Sequence, residues 1–260
     1  MDNTQSVKEI IAALKLAELE ELPGLLNRYS EDPRKQIQKA LGVAKRRYEH
    51  ELQERKRVRA MYDFMNTLAG KDAVVLGVDE VGRGAVAGPL TVCAVQLPKD
   101  PIIWGLNDSK KLSPHKREEL AKTIAHFAPA IGIAHIDPEH IDAAGMSASL
   151  RVAINRAIKD SGLEPDLVLL DGNSMHAHPK EKNVIGGDAK VACIAAASIV
   201  AKVSRDSIMR MSELDYPGYS FAKSKGYASP EHIKAIQTLG PCEYHRKTFI
   251  TSFLPQDSLF

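Results

Sequence analysis

The sequence predicts an α/β protein in which a mixed sheet is flanked by helices, with a helical N-terminal extension and a helical C-terminal part. From Lys71 onward, short apolar segments of strand length alternate with segments that begin with helix-capping residues. Before Lys71, apolar residues instead recur at helical spacing and charged residues are frequent. The 260 residues suffice for one such domain and an appendage. We therefore expect a helical extension over residues 1–70 and a main domain over residues 71–260.

The extension contains two helical patterns. The first consists of apolar residues at helical spacing, Val7, Ile10, Ile11 and Leu14. We expect Pro23-Gly24 to end this first stretch. Residues Arg34–Ala69 predict a long charged helix, weakened at Gly42, in which Lys and Arg outnumber Glu as far as Arg59. We interpret this charge run as a solvated helix face; the alternative is a basic helix that lies along nucleic-acid phosphates.

Strand and helix signals follow one another through the main domain. Apolar segments of strand length occur at Ala73–Val78, Leu90–Leu97, Ala130–Ile136, Asp166–Leu170 and, more weakly, Lys182–Ile185. A capping side chain followed by proline marks three helix starts, Ser113-Pro114, Asp137-Pro138 and Ser229-Pro230. Two more helices are predicted over about Ser149–Asp160 and Val191–Met211. The second is apolar almost all round in its first half, which indicates a helix buried in the centre.

Composition excludes several classes of protein. The net charge of +2 and pI of about 8.3 are only mildly basic, so charge alone does not indicate nucleic-acid binding. Cys93, Cys193 and Cys242 form no C-x-x-C pair, which argues against a disulfide framework or a zinc site and suits a reducing cytosol. No export signal and no apolar run of membrane-spanning length is present. We therefore expect a cytoplasmic protein that does not associate with a membrane.

Acidic residues stand where predicted strands end. Asp79-Glu80 follows the first strand, Asp171 follows the fourth, and Asp188 precedes the buried helix. Taken singly, Asp79-Glu80 fits a surface turn, Asp171 fits a turn after a strand, and Asp188 fits a helix N-cap. Taken together, they provide four carboxylates that a folded sheet can bring to one edge. Adjacent buried carboxylates repel each other, and a divalent cation relieves that repulsion. The pattern predicts a site for one or two Mg²⁺ or Mn²⁺ ions that act on a phosphodiester.

A glycine-rich segment, Gly82 to Pro89, follows the first two carboxylates. Its spacing is not that of a dinucleotide-binding loop. Gly82 and Gly84 leave backbone N–H groups unshielded on either side of Arg83. The alternative is a plain tight turn, which the preceding carboxylates make less attractive. We therefore expect Gly82, Arg83 and Gly84 to contact a sugar–phosphate backbone.

Basic and aromatic residues supply further candidate contacts. Ser109-Lys110-Lys111 lies in a loop before the Ser113 helix. Tyr227 stands beside Lys223 and Lys225, and a ring next to a sugar can sense the 2′-hydroxyl that separates RNA from DNA. A half-buried packing role is the alternative for Tyr227. A third basic cluster, His245-Arg246-Lys247, is expected to be solvated surface.

The motifs resemble those of the ribonuclease HII family in content and order, over roughly Ala73 to Phe249. The resemblance rests on Gly77–Gly84, Asp108–Leu112, Leu170–Gly172, Gly187–Lys190, Ala197–Val203 with Arg205-Asp206, Lys225–Tyr227 and His245–Phe249. Two positions separate this chain from some relatives. Gly186 stands where many members carry Lys, which puts a local phosphate contact in doubt, and Arg83 stands where ribonuclease HIII usually has Lys.

The resemblance implies a ribonuclease H-like fold with a five-stranded mixed sheet, and makes residues 71–260 the catalytic domain. It implies that Asp79, Glu80, Asp171 and Asp188 hold Mn²⁺ or Mg²⁺. It implies that the backbone of Gly82–Gly84 contacts the ribose 2′-hydroxyl and that Tyr227 stacks on the deoxyribose that follows. The implied partners are RNA–DNA hybrids and duplex DNA with embedded ribonucleotides. The implied cut lies 5′ to the ribonucleotide, leaves a 3′-hydroxyl and a 5′-phosphate, and starts ribonucleotide excision repair.

Two other functions stay open at this point. A junction nuclease or DNA-only nuclease would use the same carboxylates without needing Tyr227 beside a Gly-Arg-Gly loop. A binding module without catalysis is disfavoured, because four aligned carboxylates repel phosphate when no metal is present. The sequence indicates no obligatory protein partner. It leaves open the choice between Mn²⁺ and Mg²⁺, the number of ions, the role of the extension and the oligomeric state.

Overall fold

A computed structural model describes residues 5–70 and 72–254. The chain divides into two compact units, Met1–Arg59 and Ala60–Phe260. Among the helices of the described residues, none combines the length and the apolar character needed to cross a membrane.

The first unit is helical. It contains α1 (Val7–Leu16), α2 (Leu22–Arg28) and most of α3 (Lys35–Ala69). Ser6 and Glu9 cap α1 reciprocally, and Arg47 donates to the carbonyls of Lys15 and Ala17 at its other end. Val7, Ile10 and Leu14 of the first pattern pack in a core that also includes Ile37. The predicted end at Pro23-Gly24 is wrong: Pro23 lies in the first turn of α2, where its missing N–H leaves no bond unmade.

The second unit is built on a sheet of five strands, as the resemblance implies. The strands are β1 (Val75–Val81), β2 (Leu90–Gln96), β3 (Ala130–Ile136), β4 (Leu167–Asp171) and β5 (Glu181–Val184). Their order is β3-β2-β1-β4-β5, in which the β1–β2 and β2–β3 pairs are antiparallel and the β1–β4 and β4–β5 pairs are parallel. β1 continues beyond its predicted end at Val78, because Asp79 and Glu80 pair with Cys93 and Val92 of β2.

Helices surround this sheet. They are α4 (Pro114–Phe127), α5 (Pro138–Ala144), α6 (Met146–Asp160), α7 (Ala192–Asp215), α8 (Phe221–Ser224), α9 (Pro230–Leu239) and α10 (Lys247–Ile250). Ser113, Asp137 and Ser229 are the N-caps of α4, α5 and α9, as predicted. The two serine side chains accept backbone N–H groups, whereas the Asp137 side chain makes no capping bond. The predicted central helix is α7, in which residues Ala192–Ala201 are buried.

Two helices sandwich the sheet. Leu76 and Val78 pack in a core with Leu150 and Ile154 of α6. Because side chains alternate along a strand, Gly77 and Asp79 face the opposite side, towards α7. A Cβ atom at Gly77 would lie 2.2 Å from the backbone carbon of Cys193 in α7. The absence of a side chain at Gly77 therefore lets the backbones of β1 and α7 approach directly.

Candidate active site

The parallel pairing of β1 and β4 brings two of the predicted carboxylates together. Val78 pairs with Leu170, so the next residues along the two strands are Asp79 and Asp171. Asp171 also fixes a third acid, because its Oδ1 atom accepts the N–H of Gly187 at 2.6 Å. Gly187 opens the short turn Gly187–Ala189 that carries Asp188. Glu80 follows Asp79 on β1. We call these four residues the carboxylate cluster.

The charges of the cluster act on one another. Burial, together with the charges of Glu80 and Asp171, raises the pKa of Asp79 to about 8. Burial likewise raises the pKa values of Glu80 and Asp188, and the negative charge of Asp171 contributes to both of these increases. Asp171 therefore acts on each of the other three members. Two cations approach the cluster, Arg83 at 3.7 Å from Glu80 and Lys110 at 3.8 Å from Asp188, and both side chains are largely exposed.

The cluster fits a hard divalent cation in its chemistry. It offers carboxylate oxygens, the donors that Mg²⁺ and Mn²⁺ prefer in proteins, in a place where mutual repulsion raises the pKa values. Within residues 5–70 and 72–254, no three His, Cys, Asp or Glu side chains are already arranged as a finished metal site. The cluster thus has the donor chemistry of a metal site without closed coordination geometry, and its role as a ligand set stays a prediction.

Ser198 joins the cluster to the loop at Ser109, and no role for this residue is predicted from the sequence. A hydrogen bond with the Ser198 side chain lowers the pKa of Asp79, against the effects of burial and neighbouring charge. The Ser198 and Ser109 hydroxyl oxygens lie 3.0 Å apart. The only available signal was a hydroxyl in the otherwise apolar first half of α7. Ser109 is itself buried, whereas Lys110 and Lys111 are exposed. Contact of Ser109 with substrate stays a prediction, and its side chain faces Ser198.

The segment Gly82–Pro89, which we call the glycine loop, continues from β1. Gly82 is buried with a φ of 95°, and a Cβ atom there would lie 2.3 Å from Nε of Arg205. Arg83 and Gly84 are exposed. Within the described part of the chain, the N–H groups of Arg83 and Gly84 have no hydrogen-bond acceptor. The loop therefore offers two donors to solvent next to the carboxylate cluster.

The prediction of a solvated basic cluster at residues 245–247 is wrong for two of its three members. His245 and Arg246 are buried, with 1% and 0% of their surface exposed, and Lys247 alone is exposed. Arg246 is buried because carbonyl oxygens of the glycine loop accept its guanidinium N–H groups, for example Gly82 at 2.7 Å. A local charge pattern cannot reveal such partners, since they lie far away in the sequence.

Tyr227 keeps 37% of its surface exposed, close to the glycine loop. The guanidinium carbon of Arg205 lies 5.4 Å from the centre of its ring. A pair of buried histidines holds its backbone: Nδ1 of His232 lies 2.8 Å from the Tyr227 carbonyl oxygen, and Nε2 of His232 lies 3.1 Å from Nε2 of His245. Because the N–H of Cys242 donates to Nδ1 of His245, we assign the His245 proton to Nε2 and the His232 proton to Nδ1.

The fold and the site are those of a ribonuclease H-like enzyme, a class that acts on nucleic acids. The model of the family described as "Ribonuclease HII" matches residues 76–252, and that of the "Ribonuclease HII N-terminal domain" matches residues 6–69. The chain belongs to the ribonuclease HII family and is a metal-dependent endoribonuclease.

Individual relatives agree with this assignment. The chain is 41% identical to a ribonuclease HII of Lachnoclostridium phytofermentans over 249 residues, which cover 94% of this chain and 96% of that protein. It is 40% identical to a ribonuclease HII of Listeria monocytogenes over 220 residues, which cover 84% of each. The crystal structure of the ribonuclease H2 from Pyrococcus horikoshii matches 69% of this chain and 96% of its own, with a TM-score of 0.59 and 24% identity. That structure supports the fold alone.

Proposed function

We propose that this enzyme cuts the phosphodiester bond 5′ to a ribonucleotide and leaves a 3′-hydroxyl and a 5′-phosphate. As a ribonuclease HII, it cleaves RNA in RNA–DNA hybrids and at ribonucleotides embedded in DNA. The observation that carries the proposal is the position of Asp171, whose charge acts on Asp79, Glu80 and Asp188, beside a loop in which Arg83 and Gly84 are exposed. This arrangement supports a cation site at the carboxylate cluster, next to donors that suit a sugar–phosphate backbone.

The four acids of the carboxylate cluster would hold Mn²⁺ or Mg²⁺. A bound divalent cation would supply Lewis-acid polarisation of the scissile phosphate and offset the charge that develops on it. Neighbouring residues of the protein orient these acids. Ser198 orients Asp79, and the N–H of Gly187 orients Asp171. Lys110 and Arg83 are exposed cations beside the acids, so they can meet phosphate oxygens that enter the cluster.

The glycine loop and Tyr227 would recognise the ribonucleotide. The exposed N–H groups of Arg83 and Gly84 can donate to the 2′-oxygen, which also distinguishes ribose from deoxyribose. The partly exposed ring of Tyr227 can stack on the next sugar. Both elements lie beside Arg205, so they would act on neighbouring nucleotides. Ser109, Lys110 and Lys111 would contact the same backbone.

The organisation and location of the enzyme complete the proposal. We assign catalysis to residues 71–260 and treat residues 1–70 as a helical extension. Cys93, Cys193 and Cys242 are free thiols, and Cys93 and Cys193 are buried. Free thiols persist in a reducing compartment, so we place the enzyme in the cytoplasm, where ribonucleotide excision repair can begin with its cut.

A cleavage assay with mapped product ends tests this function. The substrates are a DNA duplex with one ribonucleotide, a continuous RNA–DNA hybrid and the matching all-DNA duplex, each with Mg²⁺, with Mn²⁺ or with a chelator. We expect metal-dependent cleavage of the first two, with a 3′-hydroxyl at the cut. Equal cleavage of the all-DNA duplex would contradict the proposal and favour a DNA nuclease that uses the same carboxylates.

A further inference from the structure

Two fully buried arginines lie beneath the elements that would recognise the ribonucleotide. Arg205 of α7 and Arg246, just before α10, each have 0% of their surface exposed. Burial of a charge is costly unless all its polar groups find partners. Within the described residues, every hydrogen bond that these guanidinium groups make goes to a backbone carbonyl oxygen. Within the described residues, neither guanidinium group forms an ion pair with a carboxylate.

The accepting carbonyls belong almost entirely to the glycine loop. Arg205 donates to the carbonyls of Pro89 at 2.8 Å, Ala87 at 3.0 Å and Lys225 at 2.7 Å. Arg246 donates to the carbonyls of Gly82 at 2.7 Å, Arg83 at 3.2 Å and Gly88 at 2.9 and 3.1 Å. The two side chains thereby hold the loop at its beginning and at its end.

Backbone bonds tie the same loop to the segment that carries Tyr227. The N–H groups of Val86 and Ala87 donate to the carbonyl of Gly226, at 2.8 and 3.1 Å. A Cβ atom at Gly226 would lie 2.3 Å from the Ala87 carbonyl oxygen, so the two segments are in direct backbone contact. Arg205 then contacts both segments, since its guanidinium also lies against the Tyr227 ring.

We propose that Arg205 and Arg246 are positioning residues that join the glycine loop and Tyr227 into one rigid recognition unit. The inward-facing carbonyls turn the free N–H groups of Arg83 and Gly84 towards the substrate. Arg205 sets the distance from those donors to the Tyr227 ring. The inference rests on the proposed function, because the unit has a use only if those two elements contact neighbouring nucleotides.

This arrangement would matter most for a single embedded ribonucleotide. Such a substrate offers one 2′-hydroxyl followed by one deoxyribose, so the donors and the ring must meet it in a single register. A continuous hybrid presents a 2′-hydroxyl at every position of the RNA strand and tolerates a displaced loop. The two arginines therefore determine the preference for an isolated ribonucleotide.

Arginine-to-lysine variants test the inference, because lysine keeps the charge and lacks the planar set of donors. We expect R205K and R246K each to lower kcat/KM on the single-ribonucleotide duplex by about tenfold or more relative to the continuous hybrid, since small displacements of positioning groups cost large factors in rate. The matched control is R210K, at an exposed residue of the same helix whose partner is Glu118. It should leave the ratio unchanged.

A double-mutant cycle separates positioning from general damage. If Arg205 acts through Tyr227, R205K should have much less effect on the single-ribonucleotide substrate in a Y227A background than in the wild type. Additive effects, or equal losses on both substrates, would overturn the inference. If a variant melts early, amide exchange of Val86, Ala87 and Gly88 in R246K gives a second measurement, and unchanged protection of these amides would also overturn it. Absence of a preference for ribonucleotides in the wild type would instead contradict the proposed function.

Discussion

The carboxylate cluster and the glycine loop are neighbours along the chain, yet they are stabilised in opposite ways. In the loop, Arg205 and Arg246 donate hydrogen bonds to five backbone carbonyls within the described residues. In the cluster, burial and like charge raise the pKa values of Asp79, Glu80 and Asp188. The loop proposed for recognition is therefore organised in advance, whereas the cluster proposed for hydrolysis holds a charge repulsion that a cation can relieve.

The largest effect is expected from Asp171→Asn, which removes the charge that acts on the other three acids. We expect at least about a 10³-fold loss of cleavage, a magnitude typical of losing one essential stabilising group. Binding of a hybrid should persist, because the glycine loop is untouched. Turnover and hybrid binding are measured together, and Asp79→Asn should behave alike. The exposed Asp215→Asn at the end of α7 serves as the control. Near-normal turnover in Asp171→Asn would exclude the cluster as the hydrolytic site.

An intermediate effect is expected on the recognition side from Tyr227→Ala. Loss of the ring should lower kcat/KM on a single-ribonucleotide duplex by about 10-fold, as stacking on an aromatic side chain contributes about 1–3 kcal/mol. Tyr227→Phe keeps the ring and should cut at nearly the wild-type rate. The measurement is the initial rate over a range of substrate concentrations. An unchanged rate for the alanine variant would remove Tyr227 from the site.

A smaller effect concerns the stability of the enzyme without divalent metal. The pKa of Asp79 is about 8 in the folded chain, far above its usual 3.8, mainly because of burial. The folded state therefore keeps a proton that the unfolded state has lost, and stability falls as the pH rises from about 4 to 8. Asp79→Asn cannot ionise, so we expect it to melt several degrees higher than the wild type at pH 8 in a chelator. The difference should shrink towards pH 4.

The smallest effect belongs to the histidine pair behind Tyr227. Burial, and then the neighbouring His232, lower the pKa of His245 to about 4. Between pH 6.5 and 4 the unfolded chain binds this proton and the folded chain does not, so the contribution to stability is present above pH 6.5 and is lost on acidification. Urea unfolding between pH 7 and 4.5 should show a shallower acid loss in His245→Gln than in the wild type. Equal slopes would contradict the neutral pair assigned above.

Local patterns were sufficient for much of the fold and for the placing of acidic residues at or near strand ends, whereas the role of those acids as metal ligands stays a prediction. Apolar runs located the strands, and Ser113 and Ser229 marked helix starts, because both signals act over a few residues. The end of β1 was misplaced, because Asp79 and Glu80 belong to the sheet through pairing with β2, which a local pattern does not contain.

The supporting residues were not predictable in the same way. Ser198 acquires its role because α7 lies against β1, and Arg246 is buried because the glycine loop accepts its N–H groups. Both depend on segments that meet only in the folded chain. A charged residue in a sequence is normally predicted to be exposed to solvent. A buried arginine whose N–H groups donate to carbonyls is an exception to that rule.

The close approach at Gly77 connects these two sides mechanically. α7 carries both Ser198, which serves Asp79, and Arg205, which serves the glycine loop, and Gly77 sets how near that helix lies to β1. A single methyl group at this position would push the backbones of β1 and α7 apart. It would shift both sets of contacts at once, so metal affinity and substrate choice would change together although residue 77 touches neither ligand.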